Sequence, residues 1–328
     1  MGDAGRRPVE VLLYGLGAIG AFYGFILSRN PRVVLSVCAR SNYEAVQANG
    51  LTIDSANHGT HTYYPHKVLR DPAEAQQTYD YIICCNKAVN VEAVLEQLKP
   101  AVDESRTAFA IMQNGVGNEV PYQKAYPNST ILSGVVWVGG RQVQPGFVEH
   151  RSSEYTELGL HPQRPDAPTE TETSRLKELE ELFVTGGTPI AVPEHIQTAR
   201  WKKAIWNMAW NSITSLTGCD TEYWLASSDV STPVTRSMML EAVAVAKASG
   251  VPDIDDSLAD ELLDRVRPLG KLYSSMYWDK EAGRPMEVEV ILGHAVREGK
   301  RLGVATPTLD CLYGLAAAVD GRLRKEQE

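Results

Sequence analysis

The stretch that decides the fold lies near the start of the chain and reads Val9-Glu10-Val11-Leu12-Leu13-Tyr14-Gly15-Leu16-Gly17-Ala18-Ile19-Gly20. Val9 to Leu13 is a short apolar run of strand-forming residues, and a helical pattern follows the glycines as far as Ser28. A G-x-G-x-x-G turn between a strand and a helix lets a pyrophosphate approach the helix N-terminus closely. We therefore expect a dinucleotide-binding turn; the alternative is a glycine-rich turn that only packs strand against helix. The predicted contacts are Gly15, Leu16, Gly17, Ala18, Ile19 and Gly20.

The residues after the second apolar run, Val33–Cys38, bear on which dinucleotide is bound. NAD-binding proteins usually carry Asp or Glu about 20 residues after the glycines, where it bonds the ribose 2′-hydroxyl. This chain has no carboxylate there and instead has Arg40, followed by Ser41 and Asn42. Because arginine can form a bidentate pair with a 2′-phosphate, the sequence favours NADP(H). The alternative is that Arg40 is a solvated loop cation.

Apolar runs and helical patterns alternate through the first half of the chain. The predicted strands are Val33–Cys38, Leu51–Asp54 with His61–Tyr64 as a ribbon, Tyr81–Cys85, Thr107–Met112, Ile131–Val138 and Gly146–Leu160. Alternation of this kind indicates an α/β fold with a Rossmann-type, doubly wound parallel sheet. Ligands of such sheets gather at the carboxyl ends of the strands. Lys87 and Asn114 follow two of these strands, and we expect both to contact the cofactor; the alternatives are a surface lysine and a turn asparagine.

The second half of the chain has a different character. Glu170–Val184 predicts a charged helix, a short strand follows near Ile190–Val192, and only helical patterns occur after Glu194. We expect two domains: residues 1–192 as an NADP-binding Rossmann-type domain and residues 193–328 as an all-helical substrate and catalytic domain.

One predicted helix carries a narrow polar stripe. Lys203, Asn207 and Asn211 are spaced i, i+4 and i+8, with Thr214 close in angle, while Trp206 and Trp210 belong to an otherwise apolar surface. A helix that is apolar nearly all round is buried, and buried amides need hydrogen-bond partners. Either a polar ligand or internal packing would satisfy them. Burial lowers the pKa of a lysine, which suits Lys203 to proton donation.

Two residues further along are weaker candidates. Ser275 could hydrogen-bond a substrate carboxylate. Glu287 falls in the first turn of a predicted helix, where the helix dipole favours a carboxylate in any case.

Composition and charge exclude several classes of protein. The net charge of −9, from 32 basic and 41 acidic residues, argues against a broad nucleic-acid-binding face. The uncharged stretch Val11–Leu27 is short for a membrane span, contains four glycines and is better explained by the strand–turn–helix unit. The five cysteines include no C-x-x-C pair and no zinc spacing, so we expect no metal site. Their odd number indicates reduced thiols and a cytoplasmic location.

Together these motifs resemble the ketopantoate reductase (2-dehydropantoate 2-reductase) family over essentially the whole chain. The matching pieces are GLGAIG, Cys-Asn-Lys87-Ala, Gln-Asn114-Gly-Val-Gly, Trp-Lys-Lys203 with Asn207 and Asn211, and Ser-Ser275-Met followed after twelve residues by Glu287. The resemblance implies an oxidoreductase that reduces the ketone of 2-dehydropantoate to (R)-pantoate with NADPH, in the pantothenate and coenzyme A pathway.

The resemblance also implies residue roles. Lys203 matches the proton donor, and Glu287 matches a carboxylate near both the nicotinamide and the lysine. The implied substrate contacts are Asn114, Lys203, Asn207, Asn211 and Ser275, and the implied cofactor contacts are the glycine turn, Arg40, Lys87, Asn114, Gly140 and Glu287. The expected partners are a small-molecule 2-oxo acid and, in a homodimer, a second copy of the chain; the sequence does not determine the oligomeric state.

Two positions depart from the family pattern. Leu272 and Thr221 stand where some members have substrate-contacting asparagines. These changes leave open a different 2-oxo acid, or a 3-hydroxy acid handled by a related two-domain dehydrogenase. A catalytically silent NADPH-binding sensor is the alternative from another class of protein.

Overall fold

The computed structural model describes residues 7–162 and 168–327. The contacts within the chain define two units: Met1–Gln113 with Asn118–Ile196, and Asn114–Gly117 with Gln197–Glu328. The four-residue segment Asn114–Gly117 therefore belongs by its contacts to the second unit, although its neighbours in the chain belong to the first. This assignment bears on the candidate site, because Asn114 lies in that segment.

In the described residues of the first unit, one ten-stranded sheet is accompanied by five α-helices. Its strands are β1 (Val9–Tyr14), β2 (Val33–Cys38), β3 (Leu51–Ser55), β4 (Gly59–Tyr63), β5 (Lys67–Leu69), β6 (Tyr81–Cys84), β7 (Ala108–Ile111), β8 (Thr130–Gln144), β9 (Phe147–Leu160) and β10 (Ile190–Ala191). Its helices are α1 (Ala18–Ser28), α2 (Tyr43–Asn49), α3 (Val91–Leu98), α4 (Glu119–Ala125) and α5 (Glu170–Gly186).

Six of these strands form the parallel centre of the sheet. Their spatial order is β5-β2-β1-β6-β7-β8, and each neighbouring pair is parallel. This is the 3-2-1-4-5-6 order of dinucleotide-binding sheets, in which the connection reverses between the first and fourth strands. The reversal point here lies between β1 and β6. The carboxyl ends of β1 and β6 are therefore the predicted ligand-binding edge.

The rest of the sheet departs from the expected all-parallel arrangement. β8 pairs antiparallel with β9, and the predicted ribbon β3–β4 joins the same sheet through a parallel β3–β9 pairing. A tight Pro145-Gly146 turn joins β8 to β9, with Gly146 at a φ of +76°. A Pro-Gly dipeptide favours such a reversal, because proline presets the first turn position and glycine accepts a positive φ at the second. The predicted strand that began at Gly146 therefore begins one residue later.

Apolar side chains cover both faces of the sheet, which confirms the doubly wound arrangement. Val11 and Leu13 point to one face, against a core that includes residues of α1 and α5. Leu12 and Tyr14 point to the other face, against residues of α3 and α4. Complete burial of such side chains contributes roughly 1.5–3 kcal/mol each. The strand therefore holds the glycine turn that follows it in a fixed position.

The second unit is helical, apart from its segment Asn114–Gly117. Its helices are α6 (Ile196–Thr217), α7 (Thr221–Ser227), α8 (Ser231–Ala248), α9 (Ser257–Val266), α10 (Ser275–Glu281), α11 (His294–Leu302) and α12 (Pro307–Lys325), with a π-helical turn at Glu289–Gly293. The long helix α6 is buried over most of its length, including Trp201, Trp206 and Trp210. This agrees with its nearly all-round apolar pattern. No helix in the described ranges is long and apolar enough to cross a membrane.

Candidate active site

The glycine turn in the first unit is shaped by close backbone contacts. Gly15 has a φ of +97°, and a Cβ there would lie 2.5 Å from the backbone nitrogen of Asn86. A Cβ on Gly20 would lie 2.0 Å from the carbonyl oxygen of Gly15. Gly17 is different, because a Cβ there would meet no atom within 4 Å. The outer two glycines are thus required by the protein's own packing, and the middle one faces open space.

The amino end of α1 is suited to an anion. Gly17 is the N-cap of this 11-residue helix, and no side chain caps it. The first N–H groups of a helix have no acceptor within the helix, and its dipole favours negative charge there. Leu16 is buried in the core, so only its backbone could contact a ligand. Gly140 lies beside this turn, since a Cβ on it would be 3.5 Å from the Cβ of Ala18.

Two arginines stand at the carboxyl ends of neighbouring strands. Arg40 is exposed two residues beyond β2 and forms no ion pair with the described residues. Arg70 directly follows β5, which pairs with β2; its guanidinium lies over the Tyr43 ring and pairs with Glu44. Sequence reasoning missed Arg70 because the three-residue strand before it is too short to be recognised. Both cations lie where a 2′-phosphate is expected.

The loop after β6 adjoins the glycine turn. Asn86 contacts Gly15 closely, as described above, and its backbone carbonyl accepts a hydrogen bond from Gln113 Nε2 at 2.9 Å. Lys87 is the next residue and is exposed. The sheet therefore brings the predicted residues Gly15 and Lys87 to the same edge, at the point where the strand order reverses.

The cysteines at this edge are not nucleophiles. Burial, together with Asp71 and Glu74, raises the pKa of the Cys38 thiol to about 12. Burial also raises the pKa of the Cys84 thiol to about 12. The protonated thiol is therefore the favoured form of both at neutral pH, whereas a nucleophilic cysteine reacts as the thiolate.

In the second unit, three predicted residues form a hydrogen-bonded chain. Lys203 Nζ donates to Asn114 Oδ1 at 2.9 Å, and Asn114 Nδ2 donates to Glu287 Oε2 at 3.3 Å. Glu287 is only 8% exposed, whereas Lys203 and Asn114 are half-buried. We call these three side chains the relay. The sequence pointed to all three but gave no sign that Asn114 bridges the other two.

The chemistry of the relay fixes the orientation of the amide. An ammonium can only donate, so the Asn114 oxygen must face Lys203, and its NH₂ group then faces Glu287. Glu287 lies directly before a helical segment, where its carbonyl accepts a hydrogen bond from Ile291 N at 3.2 Å. Glu287 therefore lies at the amino end of this helical segment.

The remaining polar residues of the α6 stripe differ in what they contact. Asn207 and Asn211 are 8% and 4% exposed, and Asn211 Nδ2 is buried without a hydrogen-bond partner among the described residues. Thr214 is satisfied internally, because its hydroxyl bonds Trp210 O and Ser274 Oγ, each at 2.7 Å. Asn211 thus has an unsatisfied buried donor and Thr214 is structural, while ligand contact by Asn207 stays a prediction.

Ser275 is exposed at the first position of α10. Its neighbour Ser274 is the buried one, capping Tyr277 N and contacting Thr214. No hydrogen bond joins the Ser275 side chain to the relay within the described part of the chain, so its substrate role stays a prediction.

The two positions that depart from the family pattern are bonded to each other. Thr221 N donates to Leu272 O at 3.1 Å, and Leu272 N donates to Thr221 Oγ1 at 3.2 Å. The Thr221 hydroxyl also donates to Gly270 O at 2.8 Å. Leu272 is therefore held in a loop, and α10 begins three residues later, at Ser275.

The residues described here form no group of three or more His, Cys, Asp or Glu able to hold a metal ion.

Comparison with known proteins defines the class of protein. Residues 11–163 match the family model for ketopantoate reductase PanE/ApbA, and residues 195–320 match the model for its C-terminal part. The crystal structure of a 2-dehydropantoate 2-reductase from Methylococcus capsulatus is 34% identical, with 96% of this chain and 98% of that one covered and a TM-score of 0.84.

Two further relatives extend the comparison. A 2-dehydropantoate 2-reductase of a Nostoc species is 27% identical over 315 residues, which is 96% of each chain. The ternary structure of D-mandelate dehydrogenase with NADH and anilino(oxo)acetate shares the fold, at 22% identity, 96% and 99% coverage and a TM-score of 0.83.

The fold and the matches define an NADP-dependent oxidoreductase with a Rossmann-like sheet domain followed by a helical domain. The chain belongs to the ketopantoate reductase family. Members of this family reduce 2-oxo acids with NADPH. The predictions of fold class, enzyme class and cofactor are confirmed.

Proposed function

We propose that this protein reduces 2-dehydropantoate to (R)-pantoate with NADPH in the cytoplasm. The observation that supports the proposal most strongly is the relay, in which the Lys203 ammonium and the Glu287 carboxylate bond the same amide of Asn114. Reduction of a ketone requires a proton at the carbonyl oxygen as well as a hydride at the carbonyl carbon. Of the three relay side chains, only Lys203 carries a positively charged group that can donate a proton.

In the proposed reaction, NADPH supplies the hydride to the carbonyl carbon of the substrate. Lys203 donates the proton that the ketone oxygen needs as its negative charge develops, and the product is a secondary alcohol. Asn114 holds the ammonium by its oxygen, so Lys203 keeps one orientation before the proton moves. Glu287 balances the positive charge of the lysine through the same amide. Lys203 is half-buried, so solvent can return the proton after each turnover.

The first unit contains groups that fit NADPH. We assign the pyrophosphate to the backbone of residues 15–20 at the uncapped end of α1, with Gly140 beside it. We assign the 2′-phosphate to Arg40, which has no ion-pair partner among the described residues, with Arg70 as a second cation. Lys87 is the proposed contact of the first unit nearer to the nicotinamide. Asn114 and Glu287 belong to the second unit and are proposed as further cofactor contacts.

The second unit contains groups that fit a small oxo acid. We assign substrate contacts to Lys203, Asn114, Asn207, Asn211 and Ser275. Asn211 supports this most clearly, because a buried amide donor without a protein partner destabilises the protein unless a ligand or water accepts the bond.

A larger 2-oxo acid is the second candidate substrate. Thr221 and Leu272 bond each other where some family members have substrate-contacting asparagines. Next to Leu272, Tyr273 stacks on Tyr277 with ring centroids 4.3 Å apart, and Trp278 is 56% exposed. The D-mandelate dehydrogenase structure contains anilino(oxo)acetate, an aromatic oxo acid. Loss of polar groups beside aromatic ones favours an apolar substrate side chain.

A substrate panel separates these candidates. NADPH oxidation would be followed with 2-dehydropantoate, branched aliphatic 2-oxo acids and an aromatic 2-oxo acid such as benzoylformate. The proposal expects the highest kcat/KM with 2-dehydropantoate. A higher value for benzoylformate would replace it with the second candidate. NADPH binding without turnover of any oxo acid would instead indicate a catalytically silent sensor.

The family includes dimeric enzymes, and we propose a homodimer for this protein. Light scattering on the purified protein would test it. A cytoplasmic location is supported by the five cysteines, all of which are free thiols.

A further inference from the structure

A single peptide group in the segment Asn114–Gly117 is held from both edges. Arg200 Nη1 donates to the carbonyl oxygen of Gly115 at 2.9 Å. Val116 N donates to the carbonyl oxygen of Val290 at 3.0 Å. The Gly115 carbonyl and the Val116 N–H belong to the same peptide plane, so these two bonds fix that plane in position and tilt. We call this pair of bonds the peptide clamp.

The clamp and the relay use nearby residues of the same two parts of the chain. Arg200 lies on α6, three residues before Lys203. Val290 lies in the π-helical turn, three residues after Glu287. Arg200 and Lys203, three apart on α6, lie on neighbouring parts of one helix face. Glu287 directly precedes the helical segment that contains Val290. Each part of the chain therefore holds the backbone of the segment with one residue and bonds the Asn114 side chain with another.

The clamp leaves no room for a side chain at the clamped residue. Gly115 has a φ of +91°, and a Cβ there would lie only 2.3 Å from the carbonyl oxygen of Val290. Gly117 is similarly restricted, with a φ of +78° and a Cβ position 2.3 Å from the His294 ring. π-helical turns often occur at functional sites, and here the turn presents a carbonyl to the segment. The close approach of Val290 and of His294 thus explains why glycine occupies positions 115 and 117.

Arg200 is 2% exposed. A guanidinium this deeply buried is stable only when its donors are hydrogen-bonded, and one of them bonds the Gly115 carbonyl. A lysine at this position would have a single charged group on a flexible stem in place of the planar guanidinium, so it is not an equivalent replacement.

We propose that Arg200 is a positioning residue for the reduction. It acts through the peptide clamp, which sets the Asn114 amide between Lys203 and Glu287. The proposal rests on the proposed function, since it assigns Arg200 a task in the proton donation by Lys203. A displacement of about 1 Å in such an arrangement can cost about 100-fold in rate.

A double-mutant cycle tests this directly. Arg200→Met is expected to lower kcat about 10- to 100-fold. Asn114→Ala is expected to do the same, and adding Arg200→Met to Asn114→Ala should change kcat by less than about 2-fold, because residues that act through one another are not additive. Full additivity of the two losses would overturn the proposal. Arg236→Met is the matched control, since Arg236 pairs with Asp260 within the same unit and contacts neither the clamp nor the relay.

Hydrogen exchange supplies a readout that does not depend on catalysis. The Val116 amide should exchange faster in Arg200→Met and in Gly115→Ala than in the unaltered protein, and no faster in Arg236→Met or Lys203→Ala. Unchanged exchange at Val116 in Arg200→Met would overturn the clamp. If the unaltered protein reduces no oxo acid, the proposed function fails, and the exchange data still decide whether the clamp exists.

A folding defect is handled with a milder variant. If Arg200→Met does not fold, as judged by its thermal unfolding transition, Arg200→Lys replaces it in both experiments. Arg200→Lys keeps the charge but loses the fork geometry, so a smaller kcat loss that disappears in the Asn114→Ala background is expected. A loss of equal size in both backgrounds would overturn the proposal.

Discussion

The glycine turn of the first unit and the relay of the second are built in opposite ways. The turn offers backbone N–H groups from one continuous stretch, and its side chains are mostly absent or buried. The relay consists of three side chains from Asn114, Lys203 and Glu287, which lie far apart in the sequence. A site built from one stretch of backbone is visible as a local motif, whereas a site built from distant side chains depends on the tertiary fold.

The contrast extends to how each region tolerates change. In the turn, Gly15 and Gly20 are fixed by contacts within the protein, and only Gly17 faces open space. In the relay, each side chain has a hydrogen-bond partner, and Lys203 and Asn114 are half-buried. Mutations should therefore separate binding from folding at single positions in each region. The following predictions use such matched pairs.

The largest expected effect is at Lys203. Lys203→Ala removes the proposed proton donor and should lower kcat by about 100-fold or more, because a positioned general acid contributes about 10²–10⁴-fold. Lys202→Ala is the control, since Lys202 is the adjacent exposed residue. Steady-state kinetics with NADPH and the preferred oxo acid measure the effect. An unchanged kcat with normal NADPH binding would contradict the role of Lys203.

The second-largest effect is expected at Asn211, whose side-chain amide is buried. Asn211→Leu should raise the KM for the oxo acid about 10- to 100-fold, because a hydrogen bond to a charged group contributes about 1.5–3 kcal/mol. The thermal stability should be kept, since the lost donor has no partner among the described residues.

Asn30→Leu should show the reverse pattern. Asn30 is equally buried, but it bonds Leu182 O and Arg32 N at 3.2 and 3.0 Å. Its loss should lower stability by about 1–3 kcal/mol and leave the KM unchanged. If Asn211→Leu lowered the stability and left the KM unchanged, Asn211 would be a structural residue and not a substrate contact.

The third effect concerns cofactor choice. Arg40→Ala should reduce the preference for NADPH over NADH about 10- to 30-fold, through loss of one charge-assisted contact to the 2′-phosphate. Stability should not change, since Arg40 is exposed. Arg29→Ala, an exposed arginine at the other end of α1, is the control. An unaltered preference for NADPH over NADH in Arg40→Ala would mean that the 2′-phosphate does not bind at the carboxyl end of β2.

The smallest effect separates two glycines of one motif. Gly17→Ala should leave the unfolding temperature unchanged and weaken NADPH binding about tenfold, or ~1.4 kcal/mol, because its new methyl meets the ligand and not the protein. Gly20→Ala should lower the unfolding temperature, because its Cβ would overlap the Gly15 carbonyl. Calorimetric titration and thermal unfolding measure the two effects. Normal NADPH affinity in Gly17→Ala would place the pyrophosphate elsewhere.

The sequence predicted the parts of the fold that local patterns determine. The strand, turn and helix from Val9 to Ser28 and the buried helix with Lys203 were predicted close to their observed bounds. The strand β5 and the helices α2 and α4 were missed, because each is too short to show a clear period. The antiparallel β8–β9 pair was missed because strand direction depends on the turn at Pro145-Gly146, and the predicted strand included Gly146.

The candidate site also has features that the sequence predicted and features that it did not. The residue types of the relay and their spacing could be read from the sequence, and Asn114 was expected to contact ligands. Its bridging position was not predictable, because it depends on the positive φ of Gly115 and on the carbonyl of Val290. The contact of Arg200 was not predictable either, since its partner Gly115 lies 85 residues away in the chain. Such contacts carry no local signal.

The most direct test of the central claim follows the hydride and the proton together. The protein would be incubated with NADPH deuterated at the transferring position and with 2-dehydropantoate, and the product examined by NMR and chiral chromatography. The account predicts (R)-pantoate with deuterium at C2, formed by the unaltered protein and about 100-fold more slowly by Lys203→Ala. Pantoate without deuterium, or an equal rate in Lys203→Ala, would contradict it.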